Sequence, residues 1–317
     1  MFERTADGRY FFPKIEFYIT NVCNLTCEHC NRFNDFNFRG WQRWSDYEHH
    51  YAEWAKYVDF GHITILGGEP LLNPTIIDWV LGINRLWKRH VQILTNATRL
   101  NHVPGLYDVL TGSKSPHPEV RHIFENSQNQ NHIGISWHNS DNINELDQQV
   151  KQFMRGPVFK NTEHGVKKYG NAHTVWNDSN IYMGAWMQDN FEHSSIRRTE
   201  QGLTLHDNNP KWAHDACTFV QNQNYHFIRG ALYKCGPVAL LPEFDKQHPL
   251  LISDREREIL GSYVPLTSDR LSTDIGNFLE NIDQPIPQCR FCPVNKDHRK
   301  IHAVTKNFKK IPINTIC

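Results

Sequence analysis

The sequence predicts an α/β protein built on a parallel sheet. Short apolar, β-branched runs recur through the first half of the chain, and segments of helical period separate them. The chemically interesting residues fall at the ends of those runs, where parallel α/β folds place active sites. The runs are 14–20, 62–66, 90–95 and 132–137. The segment 74–88 has Pro near its start and then Ile76, Ile77, Val80, Leu81, Ile83 and Leu86 along one side, which predicts a helix. Trp41, Trp44, Tyr47, Tyr51, Trp54 and Val58 recur every three or four residues over another, and such an aromatic stripe reads as core packing. The third helix is expected over 144–155, with Asn144 as N-cap. Strand-then-helix alternation calls for right-handed crossovers between parallel strands. Between 156 and 201 the pattern blurs. Two short strands are expected to close the sheet there, a substrate loop being the alternative, and His173, Trp176 and His193 are pocket candidates for which packing or surface exposure is the simpler account.

Composition narrows the function classes. The chain has 317 residues, 39% of them apolar and 12% aromatic, enough for one large or two modest domains with a real core. Lys+Arg and Asp+Glu number 34 each, so nothing advertises a nucleic-acid footprint. Lys296, Arg299, Lys300, Lys306, Lys309 and Lys310 form a locally basic tail that reads as a solvated face. No stretch reaches the length of a membrane span, and the first residues lack a signal peptide's apolar core. Eight cysteines in that context point to a reducing cytoplasm and to metal ligation, not disulfides.

Cys23, Cys27 and Cys30 follow the first strand in the spacing Cys-x3-Cys-x2-Cys. Thiolates so close can hold three irons of a 4Fe–4S cubane, leaving the fourth iron open to a small molecule. The same triplet also describes a zinc knuckle completed by His29 or a distant His, or redox thiols. The next strand runs into Gly67-Gly68-Glu69-Pro70. Glycines at a strand end let the backbone approach a ligand, and a carboxylate beside them accepts hydrogen bonds from an ammonium. A β-turn would use the same residues.

Together these motifs resemble the radical SAM superfamily, and the resemblance covers nearly the whole chain. It implies a partial (β/α)6 TIM-type barrel, a 4Fe–4S cluster on Cys23, Cys27 and Cys30, and S-adenosylmethionine (SAM) chelated by the open iron. By the same resemblance Gly67, Gly68 and Glu69 grip the methionine part of SAM, Glu69 through the amino group. Asn96 lies near the ribose, and Ser136 holds a position that touches SAM. His138 stands where relatives commonly carry Asp.

The later cysteines read Cys217-x12-Gly230-x4-Cys235, a gap, then Cys289-x2-Cys292. This pattern resembles the auxiliary-cluster extensions called SPASM and Twitch. No further cysteine lies between 294 and 304, so it is similar to a Twitch domain with one auxiliary 4Fe–4S cluster. Residues 227–233 form the expected hairpin, turning at Arg229 and Gly230. Two cysteine pairs also describe a structural zinc site. Cys317 is left over.

The expected organisation is a radical SAM core over 1–204 and a Twitch-like domain with its basic tail over 205–317. The reaction implied is reductive cleavage of SAM to a 5′-deoxyadenosyl radical, which takes a hydrogen atom from a small molecule or peptide. A net two-electron oxidation then follows, the auxiliary cluster accepting an electron and flavodoxin or ferredoxin supplying the first one. Epimerisation, carbon–carbon bond formation and a non-catalytic zinc or iron–sulfur scaffold are the alternatives.

Overall fold

The computed structural model describes residues 2–27, 29–112, 131–138, 143–163, 173–178, 181–187, 190–191, 194–294 and 299–300. The chain alternates β1 (Tyr10–Tyr18), α1 (Trp44–Trp54), β2 (Val58–Leu66), α2 (Ile76–Trp87), β3 (Val91–Thr95), α3 (Leu106–Thr111), β4 (His132–Trp137) and α4 (Ile143–Phe153). Strands β1 to β4 lie side by side, each parallel to the next. The chain continues through β5 (Phe159–Glu163), β6 (His173–Asn177) and β7 (Tyr182–Met187). A short pairing of β8 (Asn190–Phe191) and a hairpin of β9 (Ile196–Thr199) and β10 (Gly202–Leu205) follow. The last strands are β11 (His226–Ile228), β12 (Ala231–Tyr233) and β13 (Arg299–Lys300), the last of these pairing with β8.

One nine-stranded sheet results, in the order β12-β11-β1-β2-β3-β4-β7-β6-β5. The strands from β11 to β7 in that order are mutually parallel. The sheet is open among the described residues, ending at β12 and β5, so the expected closure between 156 and 201 is not met there. Of the strands in that stretch only β7 extends the parallel set, because β5 and β6 return antiparallel onto it.

The period of two along β1 separates core from site. Ile15 and Phe17 point under the helices, where Phe17 packs on Tyr51, Trp79, Trp87 and Phe227. Lys14 and Glu16 face the opposite side and line a cavity. The aromatic stripe is core, as its spacing predicted: Trp44, Tyr51 and Trp54 are buried. Helix α1 is shorter than the stripe, however. Trp41 precedes it in an isolated bridge to Thr20, and Val58 already opens β2. Gly82 lets α2 lie directly on α1, since a Cβ there would fall 2.1 Å from Cε2 of Trp44. Asn144, expected as an N-cap, lies inside α4, which begins at Ile143. The hairpin of β11 and β12 turns at Arg229 and Gly230, with φ of 51° and 74°, the geometry of a two-residue type I′ turn. His193, Cys317, Lys296, Lys306, Lys309 and Lys310 lie outside the described residues, whereas Arg299 and Lys300 form β13.

Candidate active site

The loops that leave β1 and β2 are zipped together by backbone hydrogen bonds. Gly68 N–H donates to the Thr20 carbonyl (2.7 Å) and Glu69 N–H to that of Val22 (2.8 Å). The two glycines are required by this contact. A Cβ at Gly67 would lie 2.5 Å from the Thr20 oxygen, and one at Gly68 2.3 Å from the Val22 oxygen. What the glycines approach in the structure is therefore the backbone leading into Cys23, and their other side faces the cavity.

Glu69 is fully buried and does not line the cavity. Its Oε1 accepts from Thr95 Oγ1 (2.6 Å) and Leu71 N–H (3.0 Å), and its Oε2 from Asn96 N–H (2.8 Å). The carboxylate thus clamps the end of β2 to the end of β3. Burial pushes its pKa up to about 7, against these hydrogen bonds, which lower it. The folded value lies above the ordinary 4.5. The protonated group therefore favours the fold, fully below about pH 4.5, and that contribution fades as pH rises through about 7, by about 3 kcal/mol in all. Cluster-free protein should accordingly lose urea resistance between pH 5 and pH 8. In Glu69→Gln this slope should flatten, and an unchanged slope would move the titration to another group.

Cys27 is buried, and Cys23 and Cys30 are half-buried. Burial pushes all three thiols up; for Cys23 the nearby Glu69 and the other two cysteines add to the effect. Leu25 N–H (3.4 Å) and Asn96 Nδ2 (3.8 Å) approach the Cys23 sulfur, and Asn34 Nδ2 approaches that of Cys30 (3.8 Å). Thiols crowded in a low-dielectric loop ionise when a cation takes the proton's place, and N–H···S contacts then steady the ligands. Among the described residues no three His, Cys, Asp or Glu side chains converge where a single metal ion would be held. A cubane needs no such convergence, because each thiolate binds a different iron. The donor set therefore fits a 4Fe–4S cluster.

Asn96 also donates to Asn24 Oδ1 (3.1 Å), tying the end of β3 to the cysteine loop. Asn96, Ser136 and His138 all line the cavity. Trp176 does not: it is buried, with its Nε1 donating to Asp147 Oδ1 (2.8 Å). His173 lies on β6.

Cys217 and Cys235 occupy the residues just before two helices, Thr218–Gln221 and Gly236–Gln247, and Cys289 and Cys292 sit at a tight turn over Pro287–Phe291. The four are close enough to perturb one another electrostatically, Cys235 being raised by burial and then by Cys292, Cys217 and Cys289. Burial likewise pushes Cys292 up to about 12, and Ser195 Oγ lies 3.5 Å from its sulfur. Lys234 is buried beside this set, its Nζ donating to the Ile282 carbonyl. Burial lowers its pKa, while Cys289, Cys235 and Cys217 act in the opposite direction. One cavity of about 570 Å³ joins the two cysteine groups: its wall includes Cys23, Cys27 and Cys30 and also Cys217, Cys235 and Cys292.

Sequence reasoning missed Lys234, along with a charged group on the cavity wall, Lys14, Glu16 and Arg32. The available signal was the pair Lys14 and Glu16 at alternate positions of an otherwise apolar run, since period two places both on one face.

The parallel sheet thus carries a cysteine-lined chamber at its strand ends, where folds of this kind place their sites. Residues 17–183 match the description of the radical SAM superfamily, and the chain belongs to that family of enzymes, whose members use a 4Fe–4S cluster and SAM. The chain is 35% identical over 82 residues to a probable GTP 3′,8-cyclase of Methanothermobacter thermautotrophicus, covering 26% of this chain and 27% of that one. The crystal structure of Streptococcus suis SuiB bound to S-adenosylmethionine superposes with a TM-score of 0.30 at 19% identity, over 45% of this chain and 39% of SuiB. No helix among the described residues is long and apolar enough to cross a membrane.

Proposed function

We propose that the chain cleaves SAM reductively and oxidises a small molecule or peptide by two electrons, with Cys217, Cys235, Cys289 and Cys292 as the residues that would hold a second 4Fe–4S centre, which would supply an acceptor for the electron left on the substrate as its proton passes to water. The observation that carries this reading is the single cavity bordered by both cysteine groups. When bound, the first cluster and SAM supply a 5′-deoxyadenosyl radical able to take hydrogen from an unactivated C–H bond. The protein's own part is to hold and orient. Cys23, Cys27 and Cys30 are the ligands of the first centre, and Gly67, Gly68, Asn96 and Ser136 form the wall against which SAM lies. Glu69 acts from behind that wall by fixing Thr95 and Asn96. A flavodoxin or ferredoxin is the proposed donor, and the similarity to a probable GTP 3′,8-cyclase keeps a nucleotide among candidate substrates.

Anaerobic reconstitution tests the reading. Brown protein with about eight irons per chain, as two cubanes require, should release 5′-deoxyadenosine from SAM on reduction. With fractionated deuterated extracts, label in the 5′-deoxyadenosine marks the fraction that contains the substrate. A colourless zinc protein inert to SAM would overturn the proposal. Lys234→Met should lower the reduction potential of the second centre by on the order of 100 mV, the effect of a unit charge several ångströms away at an effective dielectric near 20. An unmoved potential, read by EPR-monitored titration, would separate Lys234 from that centre.

A further inference from the structure

The floor of the cavity carries a charged group that neither cysteine set requires. Lys14 Nζ lies 3.2 Å from Glu16 Oε1 and donates to Asn224 Oδ1 (2.9 Å). Arg32 Nη2 donates to Glu16 Oε2 (3.2 Å), and His226 Nε2 lies 2.8 Å from the same oxygen. The guanidinium is held between two rings, its carbon 5.6 Å from the centroid of Tyr18 and 5.5 Å from that of Phe219. Gly236 leaves the space it occupies, since a Cβ there would fall 2.1 Å from Nη1. Arg32 is 9% exposed, and its buried Nη1 has no hydrogen-bond partner.

Burial and the neighbouring Arg32 lower the pKa of His226, against Glu16, which raises it. Lys14 and Arg32 face one carboxylate, and Glu16 is the single acidic residue of the cavity wall among the described residues. A buried charged donor left without an acceptor is costly, typically by about 1–3 kcal/mol or more. An arginine edge beside a lysine point charge is the donor pattern that carboxylate and phosphate oxygens satisfy.

We propose that Arg32 and Lys14, braced by Glu16, form a subsite for an anionic oxygen group, a carboxylate or a phosphate, on the substrate. The inference rests on the reading of this cavity as the substrate chamber, and it narrows the substrate to a small anion. Position separates Lys14 from the SAM-holding residues, while Arg32, two residues after Cys30, reaches from the cysteine loop to Glu16. Lys14 lies four residues below the end of β1, ~13 Å along the strand, whereas the cysteine loop and Gly67-Gly68 lie beyond the strand ends.

The test uses reconstituted holoprotein, titrated calorimetrically with inorganic phosphate and, separately, with malonate. At least one anion should bind the wild type, and whichever binds names the group. Arg32→Gln and Lys14→Met should each weaken that binding at least tenfold while iron content and SAM affinity hold. Should Arg32→Gln fail to fold, Lys14→Met decides alone, since Lys14 is only half-buried. Absence of binding to the wild type, or undiminished binding to the variants, would overturn the subsite. A parallel fall in SAM affinity would overturn it too, by assigning the cations to SAM. Missing iron or absent SAM cleavage in the wild type would instead count against the enzymatic reading, so the two failures are distinguishable.

Discussion

Replacing Cys23, Cys27 and Cys30 together by alanine should reduce 5′-deoxyadenosine release to background and remove about half of the iron, four of some eight atoms. The first loss follows from the donor set. The three sulfurs sit on one loop just past the carboxyl end of β1, whereas the other thiols of the cavity, Cys217, Cys235 and Cys292, are carried by separate segments. The second result tests independence. Cys217, Cys235, Cys289 and Cys292 come from the other end of the chain and are positioned by two helix starts and a tight turn. Retained cleavage would place the SAM-binding centre elsewhere, and loss of all iron would mean that the two centres assemble only together.

Gly68→Ala should be nearly as damaging without touching a ligand. The new methyl would lie 2.3 Å from the Val22 oxygen and 2.6 Å from its carbonyl carbon, both backbone atoms. No side-chain rotation relieves such a clash, so the strand pair Gly68–Thr20 and Glu69–Val22 must part and Cys23 must move with it. Overpacking costs typically about 1–3 kcal/mol. Directed onto a cofactor loop, that corresponds to roughly a ten- to hundredfold loss of iron retention. Gly261→Ala is the control: it ends a helix, and a Cβ there meets nothing within 4 Å. It should keep its iron and be neutral or slightly stabilised. Equal iron in the two variants would remove the strain argument.

What was legible in the sequence was local. The strands 132–137 and 90–95 and the helix 74–88 were readable because their periodicity is contained in one short window, and the structure places them at His132–Trp137, Val91–Thr95 and Ile76–Trp87. The Cys-x3-Cys-x2-Cys and Gly-Gly-Glu-Pro motifs were readable for the same reason. The hydrogen-bond partners of Glu69 were not, since Thr95 and Asn96 arrive from the next strand and depend on sheet register. The stripe from Trp41 to Val58 overran its helix because both ends keep the period while their backbone is extended. Closure between 156 and 201 was misjudged because antiparallel β5 and β6 carry the same residue types as parallel strands. The three-residue β11 pairs with β1 from some two hundred residues away, and no window reveals that.

That pairing has a consequence for how the molecule would tolerate damage. Phe227 on β11 packs against Phe17, Tyr51, Trp54 and Phe60. Its strand leads through the hairpin directly into Cys235. Through β11 the segment that ends at Cys235 is therefore hydrogen-bonded to the strand that delivers Cys23. A chain shortened ahead of β11 would inherit a raw sheet edge along β1 and an aromatic core stripped of Phe227.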